Sequence, residues 1–270
     1  MIPTDKIATV VQARLSSTRL PGKVMLPLAG APLLQRLIER IEASVLKGTI
    51  IVATSNQPSD DPLEEFCNEK GFRIFRGSMD DLLQRHVGAG ESMNAEHLLK
   101  IPSDVPLIDH EIINRVVLFY FKNEGEFDYF SNLHPATYPD GNDVEIMSMA
   151  ALRKANVEAF HNFEREHTTP YLWENPDKFK IGNLEWDMGS DYSMTHRWTI
   201  DYPEDYQFIK TVYDRLWSPD RHFTIYDILN LLEKEPEIMQ INSKYAGVNW
   251  YRNHLNELKT ITPDQTRDPQ

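Results

Sequence analysis

The stretch QARLSSTRLPGK, residues 12–23, follows directly on an apolar run and carries Arg14, Arg19 and Lys23 among hydroxylated residues and a Pro-Gly pair. A loop that leaves a strand with free backbone N–H groups and these cations can cradle the phosphates of a nucleoside triphosphate. Arginine grips phosphate oxygens through parallel N–H bonds, and lysine adds a mobile point charge. The loop is not a P-loop, because the GxxxxGK[ST] spacing is absent, and Gly22 alone does not make a dinucleotide fingerprint. A solvated basic loop is the alternative left open by composition.

Two acidic stretches complement it. In SDVPLID, Asp104 follows the apolar run AEHLLKI, so it sits at the carboxyl end of an expected strand. A carboxylate there can hold Mg²⁺, which in turn holds phosphates; a plain turn residue is the other reading. Asp109 suits a helix N-cap. In WTIDYPEDYQFI a strand is expected to end at Asp201, with Pro203 opening a helix whose Glu204 and Asp205 favour its positive end. Asp201 is then a second metal ligand or a helix cap. DGNDVEI and EREHTTPY add Asp143, Glu145, Arg165, Glu166 and His167, which could orient the hydroxyls of a polar substrate. A histidine among charges is more often a packing or surface residue than a base. No HExxH and no nucleophile-elbow spacing occurs.

The elements that must position these groups alternate in type. Apolar runs at 6–13, 48–55, 72–77, 95–101 and 127–132 read as strands. Helical spacing falls between them at 32–44, 61–71, around 81–92 and at 109–123, with Pro62 in a first turn and Gly71 just past an end. This alternation predicts an α/β, mostly parallel, doubly wound sheet, whose ligands bind beyond the carboxyl ends of the strands. The cationic loop and Asp104 both belong on that edge. After residue 132 the rhythm breaks into a turn, strand and helix start near 138–152, a helix broken near Pro170, a strand, turn and helix at 196–216 and a further helix at 224–238. The stretch from 236 is polar and is expected to be a partly flexible extension that frays at TPDQTRDPQ.

The bulk numbers exclude some classes. With 270 residues, a net charge of -13 and 26% charged residues, the chain suits a soluble globular protein whose surface repels nucleic acid. The lone Cys67, at a helical core spacing, rules out an internal disulfide and disfavours a cysteine-based zinc site. No signal peptide or membrane span is expected, and a reducing cytoplasm is the default setting.

The blocks QARLSSTRLPGKVMLPLAGAPLLQRLIERI, VATS, RGSMDDLLQRH, DVPLIDHEIINRV, YPDGNDVEIMSMAAL, REHTTPY and RWTIDYPEDY, in that order over roughly 5–216, resemble the CMP-sugar synthetases. These are the cytidylyltransferases that activate Kdo and sialic acids, and the closer likeness is to the SpsF-like branch of spore-coat polysaccharide biosynthesis. The resemblance implies a Rossmann-like, three-layer nucleotidyltransferase (GT-A-like) fold, with the nucleotidyltransferase domain at 1–235 and an extension at 236–270. It implies Mg²⁺-dependent transfer of CMP from CTP to a small sugar-like acceptor with release of pyrophosphate, in a cytoplasmic homodimer whose contact would use 134–148. Arg14 and Lys23 match triphosphate-binding positions, and Asp104 and Asp201 match Mg²⁺ ligands. Gln12, Ala13 and Leu15 fall where the base is met. Arg19, Lys100 and Ser103 join them in substrate binding, and Asp143, Glu145, Arg165, Glu166 and His167 are expected around the acceptor. The chain departs from the pattern at Ser16, where glycine is usual, and at Pro102, which removes an N–H beside the site. Those departures keep open a non-catalytic nucleotide-binding relative, and a glycosyltransferase, which uses a similar α/β sheet but takes a finished nucleotide sugar, is the other rival reading.

Overall fold

A computed structural model of the chain describes residues 2–122, 125–187 and 189–269. The elements run in order β1 (Ile7–Gln12), β2 (Pro27–Leu28), β3 (Ala31–Pro32), α1 (Leu33–Glu42), β4 (Thr49–Ser55), α2 (Asp61–Lys70), β5 (Ile74–Gly77), α3 (Leu82–Ser92), β6 (His97–Pro102), α4 (His110–Lys122) and β7 (Tyr129–Ser131). They continue as β8 (Glu145–Ser148), α5 (Met149–Glu158), α6 (Asn162–His167), α7 (Pro170–Trp173), β9 (Ile181–Asn183), α8 (Pro203–Leu216), α9 (Ile225–Lys234) and α10 (Glu237–Gln240). Asn123, which closes the fourth expected helix, and Gln270, at the tip of the expected frayed end, lie outside the described residues.

Seven strands form one sheet in the order β5-β4-β1-β6-β8-β7-β9. β5, β4, β1 and β6 pair in parallel, and β8 runs antiparallel to both β6 and β7. The sheet is apolar on both faces because helices cover both. In β1, Ile7 and Val11 enter one core and Ala8 and Val10 the other, as a strand's period of two requires. The first core packs α1, α2, α4, α8 and α9 on the sheet; the second packs α3, α5, α6 and α7 on its other face. This is the mostly parallel α/β sheet, covered on both faces, that the alternation of elements predicts. Cys67 is buried in the first core, and burial pushes its thiol up to about 11.

Two regions differ from the sequence-based expectation. The segment ending at Asp201 is not a strand of the sheet: only one bridge, Asp140 to Arg197, is made there. Its backbone is bound by loops instead, with Trp198 N donating to Asp140 O at 2.6 Å and Ile200 N to Asp104 O at 2.9 Å. The residues 243–267 are not a loose end. Val248, Leu258 and Ile261 are buried, Arg267 N donates to Gly247 O at 2.9 Å, and the Lys259 and Thr260 N–H groups bind Glu174 at 2.5 and 2.9 Å. A polar sequence with no helical or strand period gave no sign of these contacts, because long-range partners satisfy its backbone.

Candidate active site

β1 and β6 are parallel neighbours in register, Gln12 facing Pro102, so the chain leaves both strands at the same edge. Beyond β1 the cationic loop folds on itself, with Gly22 N donating to Leu15 O at 2.9 Å. Gly22 takes a left-handed conformation (φ 69°) that starts the short turn Lys23–Met25 and aims Lys23 back toward β6. The loop is braced from below by Asp60, which is fully buried and accepts from Leu15 N at 2.8 Å and from Ser55 N at 3.3 Å.

Three distant segments meet on Lys23. Its Nζ lies 2.9 Å from Asp104 Oδ2 and 3.2 Å from Asp201 Oδ1, and it donates to Ile200 O at 2.6 Å. Arg19 adds a contact of 2.6 Å to Asp201 Oδ1. Arg197, buried behind, reaches Asp201 Oδ2 at 3.1 Å, Asp205 Oδ1 at 2.9 Å and Asp140 Oδ2 at 3.3 Å. Asp205 also caps α8 by accepting from the N–H of Asp201 at 2.9 Å and of Tyr202 at 3.0 Å. Gly141 (φ 111°) allows the 139–143 turn to press on this segment, since a Cβ there would lie 2.6 Å from the Trp198 carbonyl carbon. Burial opposes the Lys23 charge, but Asp104 and Asp201 outweigh it and raise the ammonium pKa above its ordinary value. Burial likewise pushes the Asp201 carboxyl up, and Lys23, Arg19 and Arg197 outweigh that, holding it below the usual carboxylate range.

These groups line a cleft of about 840 Å³. Of the residues singled out from sequence, Gln12, Ala13, Arg14, Arg19, Lys23, Lys100, Ser103, Asp104, Asp143, Glu145, Glu166, His167 and Asp201 line it; Leu15 and Arg165 do not. Leu15 faces the core and gives its N–H to Asp60. Arg165 is a clamp between helices: Nε and Nη2 bind Asp81 at 2.8 and 2.5 Å, and Nη1 binds Asn156 O and Ala159 O at 2.9 and 3.1 Å. Its position among acids made it look like a substrate ligand, but those partners use up its donors.

Lys100 and Glu145 line the floor but are closed to each other. They face across β6 and β8, form a short ion pair, and Glu145 also accepts from Tyr129 Oη at 2.7 Å. Burial would raise the Glu145 carboxyl, but Lys100 outweighs it and keeps it lowered. His167 stacks on Trp250 at 3.8 Å, and burial pushes its pKa down to about 3, so it is neutral at pH 7. Asp143 has an opposite shift: burial raises it to about 6, against the N–H of Gly141 and with the help of the Asp104 charge. Asp109 is not part of the cleft; it caps α4 through Glu111 N at 2.9 Å and ties α9 through Ile225 N at 2.7 Å.

Sequence reasoning missed Asp140, Arg197, Arg85 and the C-terminal wall, where Trp250, Tyr251 and Arg252 close one side of the cleft. An arginine at an otherwise apolar helical phase (Leu82, Arg85, Ala89) was the available signal for Arg85. The aromatic GVNWYRNH was the signal for the wall.

Asp104 and Asp201 offer hard oxygen donors already bridged by one cation, the ammonium of Lys23, which fits a hard divalent ion. No group of three or more metal-binding side chains occurs among the described residues. The protein would therefore supply two ligands and leave the rest to phosphate and water, as Mg²⁺ prefers. The arrangement can hold a polyphosphate at its cationic side and a polar molecule at its acidic, aromatic side.

Comparison with known proteins agrees. Residues 8–246 match the family described as Cytidylyltransferase. The spore coat polysaccharide biosynthesis protein SpsF of Bacillus subtilis is 30% identical over 239 residues, 86% of this chain and 96% of that protein. A solved cytidylyltransferase from Leptospira borgpetersenii superposes with a TM-score of 0.81 at 34% identity, over 87% of this chain and 97% of the other. The CMP-2-keto-3-deoxy-manno-octonic acid synthetase, solved with CTP, shares the fold at a TM-score of 0.56 and 14% identity, over 78% of this chain and 99% of its own. By this match over most of its length the chain is a nucleotidyltransferase and belongs to the cytidylyltransferase family.

Proposed function

We propose that the protein transfers CMP from CTP to a sugar or sugar-like acceptor with release of pyrophosphate, supporting surface polysaccharide synthesis. The single observation that carries the reading is the convergence of Asp104 and Asp201 on one cation beside the cationic loop. An acceptor oxygen forms a bond to the α-phosphorus while the bond from that phosphorus to the bridging oxygen breaks. The electron pair leaves with pyrophosphate, and the acceptor proton passes to solvent. Such chemistry depends on positioning and charge neutralisation rather than on a covalent enzyme intermediate.

Lys23 and Arg19 keep two like-charged carboxylates together at the mouth of the phosphate loop. Asp104 and Asp201 would hold Mg²⁺, which supplies Lewis-acid charge stabilisation to phosphoryl oxygens when bound. Arg14 offers its guanidinium to the phosphates, and Gln12 and Ala13 meet the base. Asp143, Glu166, His167 and the aromatic wall surround the acceptor, with neutral His167 as a hydrogen-bonding rather than a charged group. The buried thiol of the lone cysteine suits a reducing cytoplasm. No described helix is long and apolar enough to cross a membrane. A homodimer is part of the reading.

The test is pyrophosphate release from CTP with Mg²⁺ across a panel of sugar acceptors. Acceptor-dependent release with CTP and not with other triphosphates supports the assignment. Release from a nucleotide sugar instead would transfer the site to a glycosyltransferase, and tight CTP binding with no turnover on any acceptor would make it a binding protein.

A further inference from the structure

The cations at the cleft divide into two kinds. Lys23 lies between Asp104 and Asp201, Arg19 sits on Asp201, Lys100 on Glu145, and Arg197 among Asp140, Asp201 and Asp205. Each of these is balanced by a carboxylate already. Among the described residues Arg14, Arg85 and Arg252 have no carboxylate within ion-pair distance; Arg252, on the C-terminal wall, donates to Asn249 O at 3.3 Å. Among the described residues Arg14 Nη1 meets the Met79 thioether, at 3.9 Å, a weak acceptor. Arg85 sits on α3, is 2% exposed and lines the cleft. Its Nη1 donates to Ser78 O at 2.8 Å, and its Nε is buried with no hydrogen-bond partner among the described residues.

A buried charged donor without a partner is costly, and it persists where something completes it. The Arg85 stem lies close over Gly77, where a Cβ would lie 3.0 Å from Arg85 Cγ. Burial above all, and then the charge of Arg14, push the Arg85 guanidinium down to about 10, against the pull of Asp60 and Asp81. Two arginines that line one cleft with donors unfilled suit a polyanion.

We infer that Arg85, acting with Arg14, is a phosphate-binding residue that grips the pyrophosphate end of the nucleoside triphosphate. The inference rests on the nucleotidyl-transfer reading and adds Arg85 to a duty that the sequence placed on Arg14 and Lys23. Phosphate suits the pair better than an acceptor carboxylate for two reasons. The Ser17 and Thr18 hydroxyls line the same cleft from the loop that carries Arg14, and the cleft is also lined by Asp140, Asp143 and Asp191, which suit the hydroxyls of an acceptor rather than its carboxylate. The fork of Arg85 would share the charge that collects on pyrophosphate as it departs.

Calorimetric titration of Arg85→Met with inorganic pyrophosphate, CTP and CMP tests this, alongside thermal unfolding. Pyrophosphate and CTP affinities should fall about tenfold to a hundredfold, and CMP affinity should hold. The unfolding midpoint should stay level or rise, because an unpaired buried donor is removed; a merely structural arginine would lower it. Arg85→Lys, with a point charge but no fork, should fall between, and it serves if the methionine variant does not fold. Gly77→Ala, which crowds the Arg85 stem, should weaken pyrophosphate in the same direction. Wild-type pyrophosphate and CTP affinity in both Arg85 variants, or an equal loss for CMP, overturns the assignment. Arg85-dependent pyrophosphate binding in a protein that turns over no CTP with any acceptor would support the subsite and overturn the catalytic reading instead.

Discussion

The cleft holds two lysine–carboxylate centres that look alike in sequence and differ in kind. Lys100 and Glu145 face each other across neighbouring strands, 9% and 2% exposed at the side chain, with Tyr129 completing the carboxylate. Lys23 joins carboxylates from two other segments, one after β6 and one before α8; these carboxylates are 29% and 20% exposed and open to the cleft. The first pair is satisfied within the protein and holds β6 to β8. The second brings together charges that are more useful to a ligand than to each other. A buried pair is costly to break and contributes little to binding, whereas an open cluster of shared charges is where substrate and cation can enter.

The largest effect should come from breaking the closed pair. Lys100→Met leaves Glu145 charged and without its counter-ion beneath the cleft, and stability should fall by about 3–5 kcal/mol. Urea unfolding measures it, and adding Glu145→Gln should recover part of the loss by removing the stranded charge. If the single variant is as stable as wild type, Lys100 is not a structural ion and the contrast between the two centres fails.

A smaller effect separates the open side of the cleft by pH. Asp143 carries a pKa raised from 3.8 to about 6. The folded protein therefore holds that proton between roughly pH 4 and 6 when the unfolded chain has released it. The stability it contributes in the protonated form is present below that window and lost as pH rises through about 6. Asp143→Asn should flatten this slope in pH-dependent unfolding and remove an inflection near 6 from the activity profile. An unchanged slope would place the titration elsewhere.

The sequence made the sheet legible wherever periodicity is local. β1, β4, β5 and β6 and their helices are apolar runs separated by turn residues, and helix α2 begins beside Pro62 and ends at Gly71 (φ 72°), as read. The convergence of the cationic loop with Asp104 and Asp201 was legible because strand ends in a parallel sheet share an edge. What stayed hidden depends on partners far along the chain. Arg165 and Glu145 were read as acceptor ligands because they lie among acids, yet their partners, Asp81 and Lys100, are 84 and 45 residues away. The C-terminal wall has no period and is held by Glu174 and Gly247. Asp201 was placed well though its strand was not: the segment gains its order from Asp104 O and Asp140 O rather than from a sheet ladder.

The most direct test of the open centre is Mg²⁺-dependent CTP binding and turnover in Asp104→Asn, which keeps the shape and removes the charge. CTP affinity should lose its dependence on Mg²⁺ and turnover should fall about a thousandfold, with an unfolding midpoint near that of wild type. Wild-type turnover with an unchanged Mg²⁺ requirement would show that Asp104 and Lys23 meet for structural reasons alone.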